Sequence, residues 1–157
     1  MARFGLKVKK AKGRNLYLQY HLKSPKSGIM KNKVFILDDD PGIQEIFQLI
    51  FEKAGYDTTL YSNGGELLKN LSELPDLFIL DKQLSGMDGL DICRQLKEDV
   101  KSRNIPVIIV SATPGIGELA NDAGADDFIE KPFSKDKLLE KAADCISINP
   151  RPYIVAI

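Results

Sequence analysis

Tryptophan is missing from this 157-residue chain, histidine occurs once, cysteine twice, and no apolar stretch approaches 18 residues. Each shortage excludes a class. Cys93 and Cys145 stand alone, with no CxxC pair, so neither a zinc site nor a disulfide scaffold is expected, and both thiols should be reduced and buried on helices. His21 is the sole histidine and lies apart from every other candidate group, which gives it little weight as a ligand or phosphoacceptor. With no long apolar run and no signal-peptide segment, a soluble cytoplasmic protein without membrane contact is the expectation. Acidic residues are absent from residues 1–33, which hold ten Lys and Arg; the remainder then carries twelve basic against twenty-two acidic side chains, a net of −10. So acidic a body repels nucleic-acid phosphates, and any such contact falls to the basic arm.

What is present is alternation. Short β-branched or aromatic runs at Val34–Leu37, Thr58–Tyr61, Leu77–Leu80, Pro106–Val110 and Asp127–Glu130 are separated by stretches with apolar residues three and four apart, near 42–54, 64–73, 88–99, 116–123 and 135–146. That is the pattern of βα units around a parallel sheet buried on both faces. Asn63-Gly64-Gly65, Ser85-Gly86 and Pro114-Gly115 read as turns, and Ser134 as a helix cap. One domain with tails is expected. Residues 1–30 are expected to be disordered, vector-derived or preceding a start at Met30, with a functional arm as the other option; residues 149–157 form a tail too short for an output domain.

In an open α/β sheet, ligands bind beyond the carboxyl ends of the strands. Here the first run leads into Asp38-Asp39-Asp40-Pro41, the third into Asp81, the fourth into Ser111-Ala112 and the fifth into Lys131-Pro132. Carboxylates gathered at neighbouring strand ends repel unless they share a cation. All the candidate ligands are hard oxygens, which favours magnesium or manganese over zinc, and magnesium's preference for few protein ligands plus a phosphate points to phosphoryl chemistry. Asp81 fits the role of carboxylate nucleophile, with Lys131 as a point charge and Ser111 as a hydroxyl donor to the phosphoryl oxygens.

The motifs VFILDDDP, FILDKQLSGMDGLDICRQLK, IPVIIVSA and GADDFIEKPF, in this order and spacing, resemble the receiver domain of two-component response regulators over roughly residues 31–148. The resemblance implies a flavodoxin-like doubly wound sheet of order 2-1-3-4-5 with five helices. It implies that Asp39 binds Mg2+ directly, Asp38 mainly through water, and the Gln83 backbone carbonyl completes the ligands, with Mn2+ able to substitute. Asp81 would take a phosphoryl group from a histidine kinase or histidine phosphotransfer protein, in a chain that is no enzyme beyond its own phosphorylation and dephosphorylation. Lys131 would contact the phosphoryl group across a cis Lys131-Pro132 bond, and Ser111 and Phe128 would form the switch pair. That pair would repack the face of the fourth helix, fifth strand and fifth helix, a route to a downstream protein or a homodimer. Such a chain would act as a single-domain regulator or phosphorelay intermediate.

Two departures from the family pattern stand out: Ser85 where proline is frequent, expected to touch no ligand, and Phe128 where tyrosine is frequent; Gln83 and Thr113 occupy the family's variable positions that tune autodephosphorylation. Other acids and bases read more plainly. Asp40 is expected to open a helix, Asp126 and Asp127 to be solvated turn residues, and Lys82 to be surface charge. The competing function is a phosphatase of the haloacid dehalogenase type, with Asp38 as nucleophile and Asp40 as acid/base. That reading leaves Asp81 without a role and places Asp126-Asp127 before Lys131 instead of after it. A flavin-binding module is disfavoured because acids stand where a flavin phosphate needs amides.

Overall fold

A computed structural model describes residues 30–150. The basic arm up to residue 29, including His21, and the tail from residue 151 lie outside the described residues. Five strands and five helices alternate: β1 (Lys33–Leu37), α1 (Pro41–Lys53), β2 (Asp57–Tyr61), α2 (Gly64–Lys69), β3 (Leu77–Asp81), α3 (Gly89–Glu98), β4 (Val107–Ser111), α4 (Ile116–Asp122), β5 (Asp127–Glu130) and α5 (Lys135–Ile148). All strand pairs are parallel, in the order β2-β1-β3-β4-β5. This is the doubly wound order implied by the motifs.

Side-chain alternation along the strands makes the two layers. Phe35, Leu37, Phe78, Leu80, Val107 and Ile109 pack with Leu67 of α2, Leu90, Ile92, Cys93 and Leu96 of α3, and Ile116 and Ala120 of α4. Their neighbours in sequence, Val34, Ile36, Leu77, Ile79, Ile108 and Val110, face Phe47 and Phe51 of α1 and Leu138, Ala142, Cys145 and Ile146 of α5. The central strands are therefore apolar at nearly every position, as burial on both faces requires. Both cysteines are free and buried, and burial pushes each thiol up to about 11, so neither is a reactive thiolate at neutral pH.

Caps set the helix starts. Asp40 accepts from the Gly42 and Ile43 amides at 2.8 and 3.2 Å and opens α1; Asn63, Asp88 and Ser134 cap α2, α3 and α5 in the same manner. α2 is shorter than its apolar spacing suggests, ending at Lys69 rather than near residue 73. Asn70 takes over there, its backbone and side-chain amides both returning to the Glu66 carbonyl.

Two polar readings need amending. Asp126 is the exposed bend residue expected, but it is not free: it accepts from Lys97 Nζ at 2.7 Å and from the Val107 amide at 2.8 Å, tying α3 and β4 to the β5 approach. Lys82 is not free surface charge, because it is largely covered and pairs with the α3 cap Asp88 at 3.1 Å.

Candidate functional site

The register brings the chemistry together. Leu37 pairs with Leu80, so Asp38 continues beside Asp81; Asp81 pairs with Val110, one residue before Ser111; and Ser111 pairs with Glu130, one before Lys131. The sheet hydrogen bonding continues past the strands, with the Lys82 amide donating to Val110 O and the Lys131 amide to Ser111 O, both at 2.8 Å. Asp38, Asp81 and Ser111 are 2%, 6% and 0% exposed, among the few buried polar residues of the sheet.

Lys131 Nζ donates to Asp81 Oδ1 at 3.0 Å and stands 4.0 Å from Asp38 Oδ2. Asp38 Oδ1 accepts the Asp40 amide at 2.9 Å, while its Oδ2 is buried with no hydrogen-bond partner among the described residues. Burial pushes the Asp38 carboxyl above its ordinary value, the Asp40 amide partly offsets this, and the Asp81 charge adds to the rise. Asp81 is likewise pushed up by burial, with Lys131 pulling it back. Asp39 behaves oppositely: the Ser85 hydroxyl, and next the Ser85 amide, hold its carboxyl below the ordinary range. Carboxylate oxygens of Asp38, Asp39 and Asp81 lie within 4.8 Å of one another. A buried carboxylate oxygen left unpaired beside two further acids is what a hard divalent cation would satisfy, so the residues fit such an ion.

Several contributors were hidden from a linear reading. Ser85 does touch a candidate ligand, contrary to expectation: its Oγ and backbone N donate to Asp39 Oδ2 at 2.6 and 2.8 Å. Gln44, on the first turns of α1, donates to Asp38 O at 2.6 Å and Tyr61 O at 2.9 Å and so staples the β1 end to β2. Gly89 lies so close to the β3 end that a Cβ there would collide with the Asp81 carbonyl; a side chain at this position would displace the acid itself. In sequence Gly89 is marked only by its place at the start of the helical stretch near 88–99.

Ser111 Oγ accepts the Thr113 amide at 2.9 Å. Phe128 is half-buried at the edge of the α2–α4 layer, with Lys141 Nζ 5.5 Å from its ring centroid. Gly117 of α4 makes room for that ring, since a Cβ would stand 2.7 Å from it. Asp127 is paired with Lys141 at 2.7 Å. The Gln83 backbone sits in the exposed connection after β3, and the Lys131-Pro132 bond is cis.

A doubly wound parallel sheet with an acid cluster at β1 and β3 and a lysine after β5 defines a class of phosphoryl-handling modules. The family model of the response regulator receiver domain matches residues 34–143, and the chain belongs to that family. It is 33% identical over 115 residues to the DNA-binding response regulator MtrA of Mycolicibacterium smegmatis, an alignment covering 71% of this chain and 49% of the relative. The chain thus spans about half the length of the curated relatives it matches. Among solved structures, the signal receiver domain of a signal transduction histidine kinase from Syntrophus aciditrophicus superposes with a TM-score of 0.71 at 33% identity, covering 80% of this chain and 98% of that one. The response regulator TrrA from Thermotoga maritima, in complex with Mg2+-BeF, gives 0.67 at 29% identity, covering 74% and 99%. Membership of this family replaces the phosphatase reading, and Asp40, its required acid/base, is instead committed to capping α1. Among the described residues no helix is long and apolar enough to cross a membrane.

Proposed function

We propose that Asp81 is the phosphoacceptor, taking the phosphoryl group from a phosphohistidine of a histidine kinase or histidine phosphotransfer protein. One observation carries this reading: a buried carboxylate at the end of the central strand is held by Lys131 at 3.0 Å and flanked by two further acids. An Asp81 oxygen attacks phosphorus, the P–N bond breaks, the phosphohistidine ring, already protonated on its other nitrogen, leaves as neutral imidazole, and an acyl phosphate remains. Water attack at phosphorus later releases inorganic phosphate and restores the carboxylate. The Lys131 side chain transfers its hydrogen bond from Asp81 to a phosphoryl oxygen. Asp38, Asp39, Asp81 and the Gln83 carbonyl would hold Mg2+, or Mn2+ through the same hard oxygens, and a bound ion supplies Lewis-acid neutralisation of phosphoryl charge. The Mg2+-BeF complex of the related TrrA supports the choice of ion.

Output runs through Ser111 and Phe128. The buried Ser111 hydroxyl leaves the Thr113 amide for the phosphoryl group, and the Phe128 ring, held only at the layer edge, follows inward. This repacks the face of α4, β5 and α5 that meets a downstream protein or a second copy of the chain. The receiver comprises residues 31–148 of a cytoplasmic signalling protein that catalyses only its own phosphorylation and dephosphorylation. Any nucleic-acid contact falls to the basic arm of residues 1–33. Incubation with a small acyl phosphate and magnesium chloride, followed by mass spectrometry, is expected to place one phosphoryl group on Asp81. Absence of the adduct in folded wild-type protein, or its persistence in Asp81→Asn, overturns the assignment.

A further inference from the structure

Ser85 lies in the connection between β3 and α3, and both of its donors fall on one oxygen of Asp39, at 2.6 and 2.8 Å. The contact joins the loop after β1 to the loop after β3 across the mouth of the site, between residues 46 apart in sequence. Lys131 donates to Asp81 and stands 4.0 Å from Asp38, whereas Asp39 takes its side-chain contacts from Ser85. Asp39 is only half-buried, and like-charge repulsion from its two neighbours favours swinging it outward to solvent. Two hydrogen bonds to Oδ2 oppose that rotation. Outer partners of this kind orient metal-binding carboxylates and commonly set affinity.

We infer that Ser85 is a positioning residue that latches Asp39 in its metal-binding orientation and so sets the chain's affinity for divalent cations. The inference rests on the magnesium reading above. It concerns Ser85 specifically, because proline there would offer neither donor, alanine only the amide, and threonine both.

The test is calorimetric titration of magnesium chloride into the 157-residue chain without phosphodonor, comparing wild type, Ser85→Thr, Ser85→Ala and Ser85→Pro. Ser85 is exposed, so these variants should fold, and circular dichroism confirms it. Threonine is expected to match wild type, alanine to bind about tenfold more weakly, the lower end for outer-sphere partners because the site is solvated, and proline more weakly still. Equal or tighter binding by both alanine and proline variants overturns the latch while leaving the magnesium reading intact. Failure of folded wild type to bind the ion overturns that reading and the latch together.

Discussion

At the residue scale, the three clustered acids are in different electrostatic situations. Asp38 and Asp81 titrate above their unfolded values because burial disfavours their charge. Across that window the folded chain binds more protons than the unfolded chain, so ionising these groups opposes folding. The cost is absent below the unfolded carboxylate range, grows as pH rises toward the folded values, and is complete above them. Asp39, held low by Ser85, acts oppositely: its stabilisation is present above the unfolded value and lost as pH falls through the folded one. In chelator-treated protein Asp38→Asn should therefore raise stability by about 1 kcal/mol at neutral pH, the scale of one relieved buried charge after screening. Its advantage should vanish below about pH 4. Urea unfolding at the two pH values measures this, and added magnesium should reverse the sign because a ligand has been removed.

At the element scale, loops held by specific contacts carry the site. Gly89 permits α3 to start against the Asp81 carbonyl, so Gly89→Ala should cost about 1–3 kcal/mol from overpacking and lower phosphoryl acceptance by displacing the acid. Asp88→Ala, which removes only a cap and the Lys82 partner, should cost about 1 kcal/mol and leave Asp81 in place. Thermal melts and acyl-phosphate labelling of the pair separate displacement of the acid from loss of helix stability. Asp126→Ala should destabilise by about 1–3 kcal/mol, since it strands the Val107 amide, while Lys97 keeps the Ile105 carbonyl; chemical denaturation would show it, and a neutral result would leave Asp126 a merely solvated bend residue.

The strand ends that carry Asp38, Asp81, Ser111 and Lys131 were legible in sequence because a parallel βα pattern places every such end on one edge. The contacts of Ser85, Gln44 and Asp126 were not, since hydrogen bonds across 46, 17 and 19 residues leave no periodic trace.

At the scale of the whole molecule, stability and ligation are linked. An ion that binds only the folded chain stabilises it by about 2.7 kcal/mol at a hundredfold excess over its dissociation constant. Magnesium chloride should accordingly raise the melting temperature, chelator should return it, and Asp81→Asn should blunt the response. Because the core and every candidate site residue among the described residues fall between residues 33 and 148, a chain beginning at Met30 should melt and accept phosphoryl like the 157-residue chain. The sequence by itself determined the element order, the two-sided burial of the strands and the acid, hydroxyl and lysine at their ends, because side-chain period and strand-end position are local properties. Only the tertiary structure decided which oxygen of which acid is paired, which is left bare, and that Ser85 closes on Asp39. Those follow from how two loops meet above the sheet, and their meeting is set by the packing of α1 and α3 on opposite faces.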